Sequence, residues 1–177
     1  MHALFAHLWG YLDSDDAASS KSRTGYVIRI DDVPVAFASK PQGGTALSTT
    51  EAEYVALSTA MRELLWVRRL VREIADGIHV PYDAVTKIRS KVYEDNKGAI
   101  ALAKRPDQTS RTRHLHTKYH FFKEHLKVEN GDGIEIEYIE TTKQIADIFT
   151  KGVGYKLFKP LRDQLMGWFY PEKSDGS

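Results

Sequence analysis

Apolar residues recur along this chain with two different periods. A period of two is typical of a half-buried strand, and a period near 3.6 is typical of an amphipathic helix. Short alternating or apolar stretches predict strands at residues 8–13, 26–30, 33–38, 88–94 and 134–138. Helical spacing predicts helices at residues 50–75, 99–103, 115–126, 141–149 and 159–166, with Pro160 in the first turn of the last one. This order favours a mixed sheet covered by helices.

The longest helical pattern places one of its two glutamates toward the core. With ~100° of rotation per residue, the apolar positions that fall within about 40° of Glu53 are Leu57, Ala60, Leu64, Val67, Val71 and Ala75. The opposite side carries Glu51, Ser58, Arg62, Arg69 and Glu73. Ser48 with Glu51, and Thr50 with Glu53, both fit a helix-capping box. Capping explains Glu51 fully, but it does not explain why a carboxylate at Glu53 faces the core, where it is costly unless paired.

Composition narrows the classes of protein and partner. The chain has 177 residues, of which 42% are hydrophobic and 28% charged, as expected for one globular domain. We place an N-terminal extension at residues 1–8, the domain at 9–167 and a polar tail at 168–177. The net charge is only +1, so a polyanionic partner must bind a local basic patch. The absence of cysteine excludes disulfides and thiolate metal sites and favours a reducing compartment. Neither a secretory signal nor a membrane-length apolar run is present, so we expect no secretion and no membrane partner.

Four carboxylates occupy equivalent positions in the predicted elements. Asp13 and Asp95 end strands, while Glu53 and Asp147 lie near the starts of helices. Such ends meet at one edge of an open α/β sheet, where the four acids would repel one another unless cations neutralised them. Oxygen-only ligands favour Mg²⁺ or Mn²⁺, and two such ions ~4 Å apart can assist displacement at phosphorus. Taken singly, Asp95 also fits an N-cap, Asp147 a solvated helix charge and Asp13 a turn residue.

Several further side chains are candidates for binding nucleic acid. Lys97, Arg111, Arg113 and Lys118 form a basic set that could follow a phosphate backbone. Thr49 and Thr50 lie just before Glu53 in the same segment and could contact a ribose 2′-hydroxyl, although both also fit as helix caps. His116 and His120 have half of a zinc-site spacing, but the chain has no Cys and no Glu stands beside the first His, so we favour a polar helix face over a zinc site. We assign the arginines at 62, 68, 69 and 72 to a solvated face, and the tryptophans at 9, 66 and 168 to core or rim packing rather than base stacking.

Seven segments of the chain resemble one known family. In order, they are Gly10–Asp15, Lys21–Val27, Leu47–Tyr54, Asp95–Ile100, Arg111–His114, Lys118–Phe121 and Gln144–Lys151. The series closely resembles the ribonuclease H domain at the end of Ty1/copia-type retrotransposon polyproteins, and the resemblance covers about residues 9–166. It implies a ribonuclease H-like α/β fold, with a five-stranded mixed sheet that starts with three antiparallel strands, followed by two parallel ones, flanked by helices.

The same resemblance implies an activity and its partners. The expected reaction is hydrolysis of the RNA strand of RNA–DNA hybrids with two Mg²⁺ or Mn²⁺ ions. The implied catalytic and metal-binding residues are Asp13, Glu53, Asp95 and Asp147, and the substrate-binding candidates are Thr49, Thr50, Asn96, Lys97, Arg111, Arg113 and Lys118. The implied partners are the hybrid and a reverse transcriptase domain of the same polyprotein, in the cytoplasm, in virus-like particles or in the nucleus.

The chain departs from the family pattern at three places. Residues 16–19 replace an aromatic residue followed by Ala-Gly, Leu115 and His116 replace Ile-Asp after His114, and Glu94 stands where a cysteine is common. An inactive ribonuclease-H-like module that binds nucleic acid or proteins is therefore the alternative function. A transposase or integrase core of the same fold is a third reading, which the presence of four acids rather than three disfavours.

Overall fold

The computed structural model describes the backbone of residues 3–11 and, with side chains, residues 22–79, 88–105, 119–126 and 133–168. Its strands are β1 (Ala3–Tyr11), β2 (Arg23–Ile30), β3 (Val33–Pro41), β4 (Arg89–Glu94) and β5 (Ile134–Tyr138). Its α-helices are α1 (Thr49–Gly77), α2 (Lys97–Lys104) and α3 (Tyr155–Leu165). The described residues also form 3₁₀ turns at Phe121–Leu126, Thr141–Lys143 and Ile145–Phe149. None of the described helices is both long enough and apolar enough to cross a membrane.

The strands form one mixed sheet in the order β3-β2-β1-β4-β5. The β1–β2 and β2–β3 pairs are antiparallel, whereas β1–β4 and β4–β5 are parallel. Because β1, β4 and β5 run in the same direction, their carboxyl ends lie at one edge of the sheet. The chain passes from β3 to β4 through a crossover connection, which contains α1. The α/β class predicted from the sequence is confirmed.

The first strand begins earlier than the sequence pattern indicated. Residues 3–8, which we predicted to form an extension outside the domain, are part of β1 and pair with both β2 and β4. The prediction was wrong because Ala3–Trp9 is a nearly continuous apolar run rather than an alternating one. Such runs are typical of a strand in the middle of a sheet.

The long helix α1 has the register that the hydrophobic pattern predicted. Its N-cap is Ser48, whose Oγ accepts a hydrogen bond from Glu51 N at 3.1 Å, and Glu51 Oε2 accepts one from Leu47 N at 2.8 Å. Leu57 and Leu64 are fully buried in the main core between α1 and the sheet. Glu53 is only 3% exposed, so its core-facing direction is confirmed.

The buried arc of α1 is wider than the predicted stripe. Ser58 and Arg68, which we expected at the solvent, are each 3% exposed, and Arg68 Nη1 donates to Ser90 Oγ at 3.0 Å. A helix that lies flat on a sheet buries residues at both margins of its apolar stripe, which explains the error. Conversely, Trp66 is 67% exposed, so the prediction that it packs in the core or rim was wrong. Trp168 is 48% exposed and its ring centroid lies 5.4 Å from the Arg162 guanidinium, which agrees with rim packing, and the side chain of Trp9 lies outside the described part of the chain.

A second, smaller core covers the other face of the sheet. It joins Val27 of β2 to Ile145 and to Leu161 of α3. The helix predicted at residues 141–149 is instead a pair of 3₁₀ turns with no side-chain cap. The last helix begins at Tyr155 rather than near residue 159, so Pro160 lies inside it rather than in its first turn.

Candidate active site

Asp95 lies directly after β4, at the carboxyl edge of the parallel strands. It does not cap the following helix, because Asn96 is the N-cap of α2 and its Oδ1 accepts from Ala99 N at 3.0 Å. The carboxylate is instead held from the other side, where Thr141 Oγ1 donates to Asp95 Oδ2 at 2.6 Å. Thr141, which we expected to cap a helix, therefore orients this acid.

Asp147 lies in the Ile145–Phe149 turn and is fully buried. Its Oδ2 is 2.5 Å from Lys151 Nζ, and its Oδ1 accepts no hydrogen bond from the described residues. Burial raises the pKa of Asp147 to about 6, while Lys151 acts in the opposite direction. The alternative reading of Asp147 as a solvated helix charge is therefore wrong.

The turn that carries Asp147 is held against the sheet by close contacts. A Cβ at Gly25 of β2 would overlap Thr150 Cγ2 and would lie 3.2 Å from Ala146 O, so only glycine lets the turn approach this strand. Phe149 stacks on Phe37 of β3 with ring centroids 5.6 Å apart. These contacts bring a segment that follows β5 over β2 and β3, and they fix the height of Asp147 above the sheet.

Asp95 and Asp147 interact electrostatically. Burial is the main cause of the raised pKa of Asp95, and its hydrogen bond from Thr141 and the charge of Lys151 partly offset this. The charge of Asp95 contributes to the raised pKa of Asp147. Asp95 Oδ1 is also buried and accepts no hydrogen bond from the described part of the chain. The fully buried Asp147 and the partly buried Asp95 thus each have an inaccessible carboxylate oxygen that accepts no such bond, and this combination suits a hard divalent cation.

Glu53 belongs to the helix start that packs beside the start of α2. A Cβ at Gly98 would lie 2.9 Å from Thr50 Oγ1 and 3.0 Å from Asn96 Oδ1, so the two helix starts are in close contact. Glu53 lies one turn along α1 from this contact and faces inward. The backbone of Glu53 therefore lies on a helix whose start contacts the start of α2, just after Asp95 in the chain.

The four-acid site remains a prediction in its full form. Asp13 lies outside the described residues. Within the ranges that are described, no three histidine or acidic side chains come close enough to hold a metal ion. The described part of the site is therefore the Asp95–Asp147 pair, with Glu53 on the neighbouring helix.

Two charged residues near these acids were not identified as site residues from the sequence. Glu94 is fully buried, its Oε1 accepts from Asn96 N at 3.0 Å, and burial raises its pKa well above the usual range. The alternation of Ser90, Val92 and Glu94 along β4 could have indicated this inward position. Lys151 could have been found only from its spacing of four residues after Asp147.

The candidate substrate-binding residues are only partly described. Thr49 is exposed and Thr50 is partly buried at the start of α1, and Lys97 Nζ lies 4.8 Å from the ring centroid of Tyr138. Asn96 uses its Oδ1 as the helix cap, so a contact with substrate would come from Nδ2. The remaining basic candidates, Arg111, Arg113 and Lys118, lie outside the described residues, as does His116.

His120, the second histidine of the spaced pair, contacts α1. Its Nδ1 lies 2.6 Å from the hydroxyl of Tyr54, which is fully buried. The ring therefore joins the Phe121–Leu126 region to the long helix, and Nδ1 is already engaged. This favours a packing role over the zinc reading.

The sequence is similar to parts of two plant retrotransposon polyproteins. It is 34% identical over 163 residues to the retrovirus-related Pol polyprotein from transposon TNT 1-94 of Nicotiana tabacum. The aligned region covers 90% of this chain and 11% of that protein. It is 32% identical over 155 residues to the Pol polyprotein from transposon RE2 of Arabidopsis thaliana, covering 86% of this chain and 10% of that protein. The chain thus spans about a tenth of the length of these relatives. No family model matches it.

The structure is similar to solved ribonucleases H. LC11-RNase H1, isolated from compost, superposes with a TM-score of 0.54 at 16% identity, covering 84% of this chain and 91% of that one. A crystal structure of LC11-RNase H1 in complex with an RNA/DNA hybrid also gives 0.54, at 15% identity over 85% and 94% of the two chains. The chain is therefore a homologue of one segment of the Ty1/copia-type retrotransposon Pol polyproteins, and its fold is the ribonuclease H-like α/β fold.

Proposed function

We propose that this domain is a metal-dependent endonuclease that hydrolyses the RNA strand of RNA–DNA hybrids during retrotransposon reverse transcription. The observation that carries this proposal is the pair formed by the fully buried Asp147 and the partly buried Asp95 at the carboxyl edge of the parallel strands. The ribonuclease H-like fold supports it, as does the structural neighbour that was crystallised with a hybrid. Homology to Pol polyproteins supports the biological setting.

Two Mg²⁺ or Mn²⁺ ions are the proposed cofactors, held by Asp95 and Asp147 together with Asp13 and Glu53. When bound, such ions neutralise the acids and stabilise the charge that develops during displacement at phosphorus. The protein's own contribution is to hold these oxygens in place. Thr141 fixes Asp95 Oδ2, and the turn packed on Gly25 fixes the height of Asp147.

Recognition of the substrate is assigned to two regions. The 2′-hydroxyl distinguishes RNA from DNA, and Thr49 and Thr50 at the start of α1 are the residues that we propose contact it. Lys97, Asn96 and the basic residues at 111, 113 and 118 would bind the phosphate backbone. Since the chain spans about a tenth of its relatives, a reverse transcriptase domain of the same polyprotein is the proposed protein partner.

The test is cleavage of labelled RNA in a hybrid, compared with single-stranded RNA, duplex RNA and duplex DNA. We expect cutting of the RNA strand of the hybrid only, which requires Mg²⁺ or Mn²⁺ and stops with chelator, with 3′-hydroxyl and 5′-phosphate ends. Equal cutting of duplex DNA, or activity that survives chelator, would contradict the proposal. Hybrid binding without cleavage under all metal conditions would favour the inactive binding module instead.

A further inference from the structure

Lys151 forms a close ion pair with the most buried acid of the site. Its Nζ lies 2.5 Å from Asp147 Oδ2, and its backbone N donates to Asp147 O at 3.1 Å. The lysine side chain is 21% exposed, while that of Asp147 is fully buried. The ammonium group therefore enters the site from the solvent side and ends at the carboxylate.

The charge of Lys151 acts on both acids of the described pair. It lowers the pKa of Asp147 and also that of Asp95. The ammonium group therefore acts on both carboxylates while it is in contact with Asp147 Oδ2. A divalent ion shared by the two carboxylates would need the same region, because it must approach oxygens of both.

We propose that Lys151 is an internal counter-cation that neutralises Asp147 in the metal-free protein and competes with a divalent ion for that carboxylate. This inference rests on the metal site of the proposed function. It assigns Lys151 a positioning and regulatory role, in which the strength of the ion pair sets the metal affinity.

Physical chemistry gives the direction of the competition. A buried carboxylate without a cation carries a large desolvation cost, so the metal-free protein needs Lys151 more than the metal-loaded protein does. A divalent ion supplies two charges and removes this need. Binding it then requires the ion pair to break, which weakens the apparent metal affinity. The flexible, partly exposed lysine stem lets the ammonium move toward solvent when this happens.

The test compares Lys151→Met with a matched control, Lys143→Met. Lys143 lies in the preceding turn and pairs with Glu140 at 3.0 Å, but both side chains are more than 60% exposed. Calorimetric titration with Mn²⁺ and with Mg²⁺ measures the dissociation constants, and melting temperatures are recorded with chelator and with metal. We expect Lys151→Met to bind the ions about tenfold more tightly, as the loss of an ion pair worth roughly 1.4 kcal/mol would give. Its melting temperature in chelator should be lower than that of the wild type, and the increase in melting temperature on adding metal should be larger. Lys143→Met should match the wild type in both measurements.

The possible results separate this inference from the proposed function. If the wild type binds neither ion, the metal site and the proposed function both fail. If the wild type binds but Lys151→Met binds with equal or weaker affinity, Lys151 does not compete and this inference alone is wrong. If Lys151→Met unfolds in chelator, recovery of its far-UV signal with Mn²⁺ supports the inference, and failure to recover overturns it. Lys151→Arg, which keeps the charge, should bind metal no more tightly than the wild type.

Discussion

The raised pKa of Asp147 predicts a specific dependence of stability on pH in the metal-free protein. The pKa is about 6 in the folded state against the usual value of 3.8. Between these two pH values the folded protein holds a proton at Asp147 that the unfolded chain has lost. The folded state therefore becomes less stable as the pH rises through this range. An increase in pKa from 3.8 to about 6 corresponds to at most roughly 3 kcal/mol of unfolding free energy.

The change to make is Asp147→Asn, which keeps the shape of the side chain and removes its ionisation. Urea unfolding followed by far-UV circular dichroism, with chelator present, gives the unfolding free energy from pH 4.5 to 7.5. Burial lowers the pKa of His120, so acidification reduces the unfolding free energy through this residue. In the wild type this loss partly masks the gain in unfolding free energy that comes from Asp147. The quantity to compare is therefore the difference between variant and wild type, in which His120 cancels.

We expect the variant to be the more stable protein at pH 7.5, by about 2 kcal/mol, with the difference shrinking as the pH falls from about 6 toward 3.8. Glu140→Gln, at an exposed carboxylate just before the Thr141–Lys143 turn, is the matched control and should follow the wild type. If Asp147→Asn and the wild type give parallel profiles, Asp147 is fully ionised in the folded state. The pairing with Lys151 would then outweigh burial, and our account of the site electrostatics would be wrong.

Three further predictions concern the acids, the packing and the substrate. Glu53→Gln should abolish hybrid cleavage and leave the melting temperature unchanged or raised. Glu51→Gln should keep most of the activity, because Gln also completes a capping box. Cleavage rates and melting temperatures of both variants test this prediction. Gly25→Ala should lower the unfolding free energy by about 1–3 kcal/mol in urea titrations, because its Cβ would overlap the turn packed on β2, and no loss would mean that this contact is loose. Hybrid affinity should fall steeply with salt, and replacing Arg111 and Arg113 by Ala should reduce the log–log slope by roughly 2, whereas an unchanged slope would remove them from the interface.

The sequence predicted the parts of this fold whose residues repeat with a clear period. The direction of Glu53 and the capping role of Glu51 follow from rotation along one long helix, and both are confirmed. The sheet's central strand was partly missed, because its apolar run at residues 3–9 does not alternate. Periodicity identifies helices and strands that have one solvent-exposed face, and it gives less information about strands that are covered on both faces.

The site could be predicted as a set of acids but not as a set of contacts. The hydrogen bond from Thr141 to Asp95 joins residues 46 positions apart, and no local pattern indicates it. Glu94 was noted only as a departure from a family pattern, although it is fully buried beside Asp95. Burial of a charge depends on which elements pack above it, and this information is not local in the chain.

The most direct test of the proposed site is strand-specific cleavage by variants of its two described acids. Purified wild type, Asp95→Asn, Asp147→Asn and the control Glu140→Gln are incubated with a hybrid carrying labelled RNA, with Mg²⁺ or Mn²⁺. We predict that the wild type and Glu140→Gln cut the RNA strand at similar rates, while both aspartate variants remain folded and lose cleavage by a factor of about 10³ or more, as for the loss of a group that acts in the transition state. Cleavage by Asp147→Asn at the rate of the wild type would show that this buried carboxylate is not part of the active site.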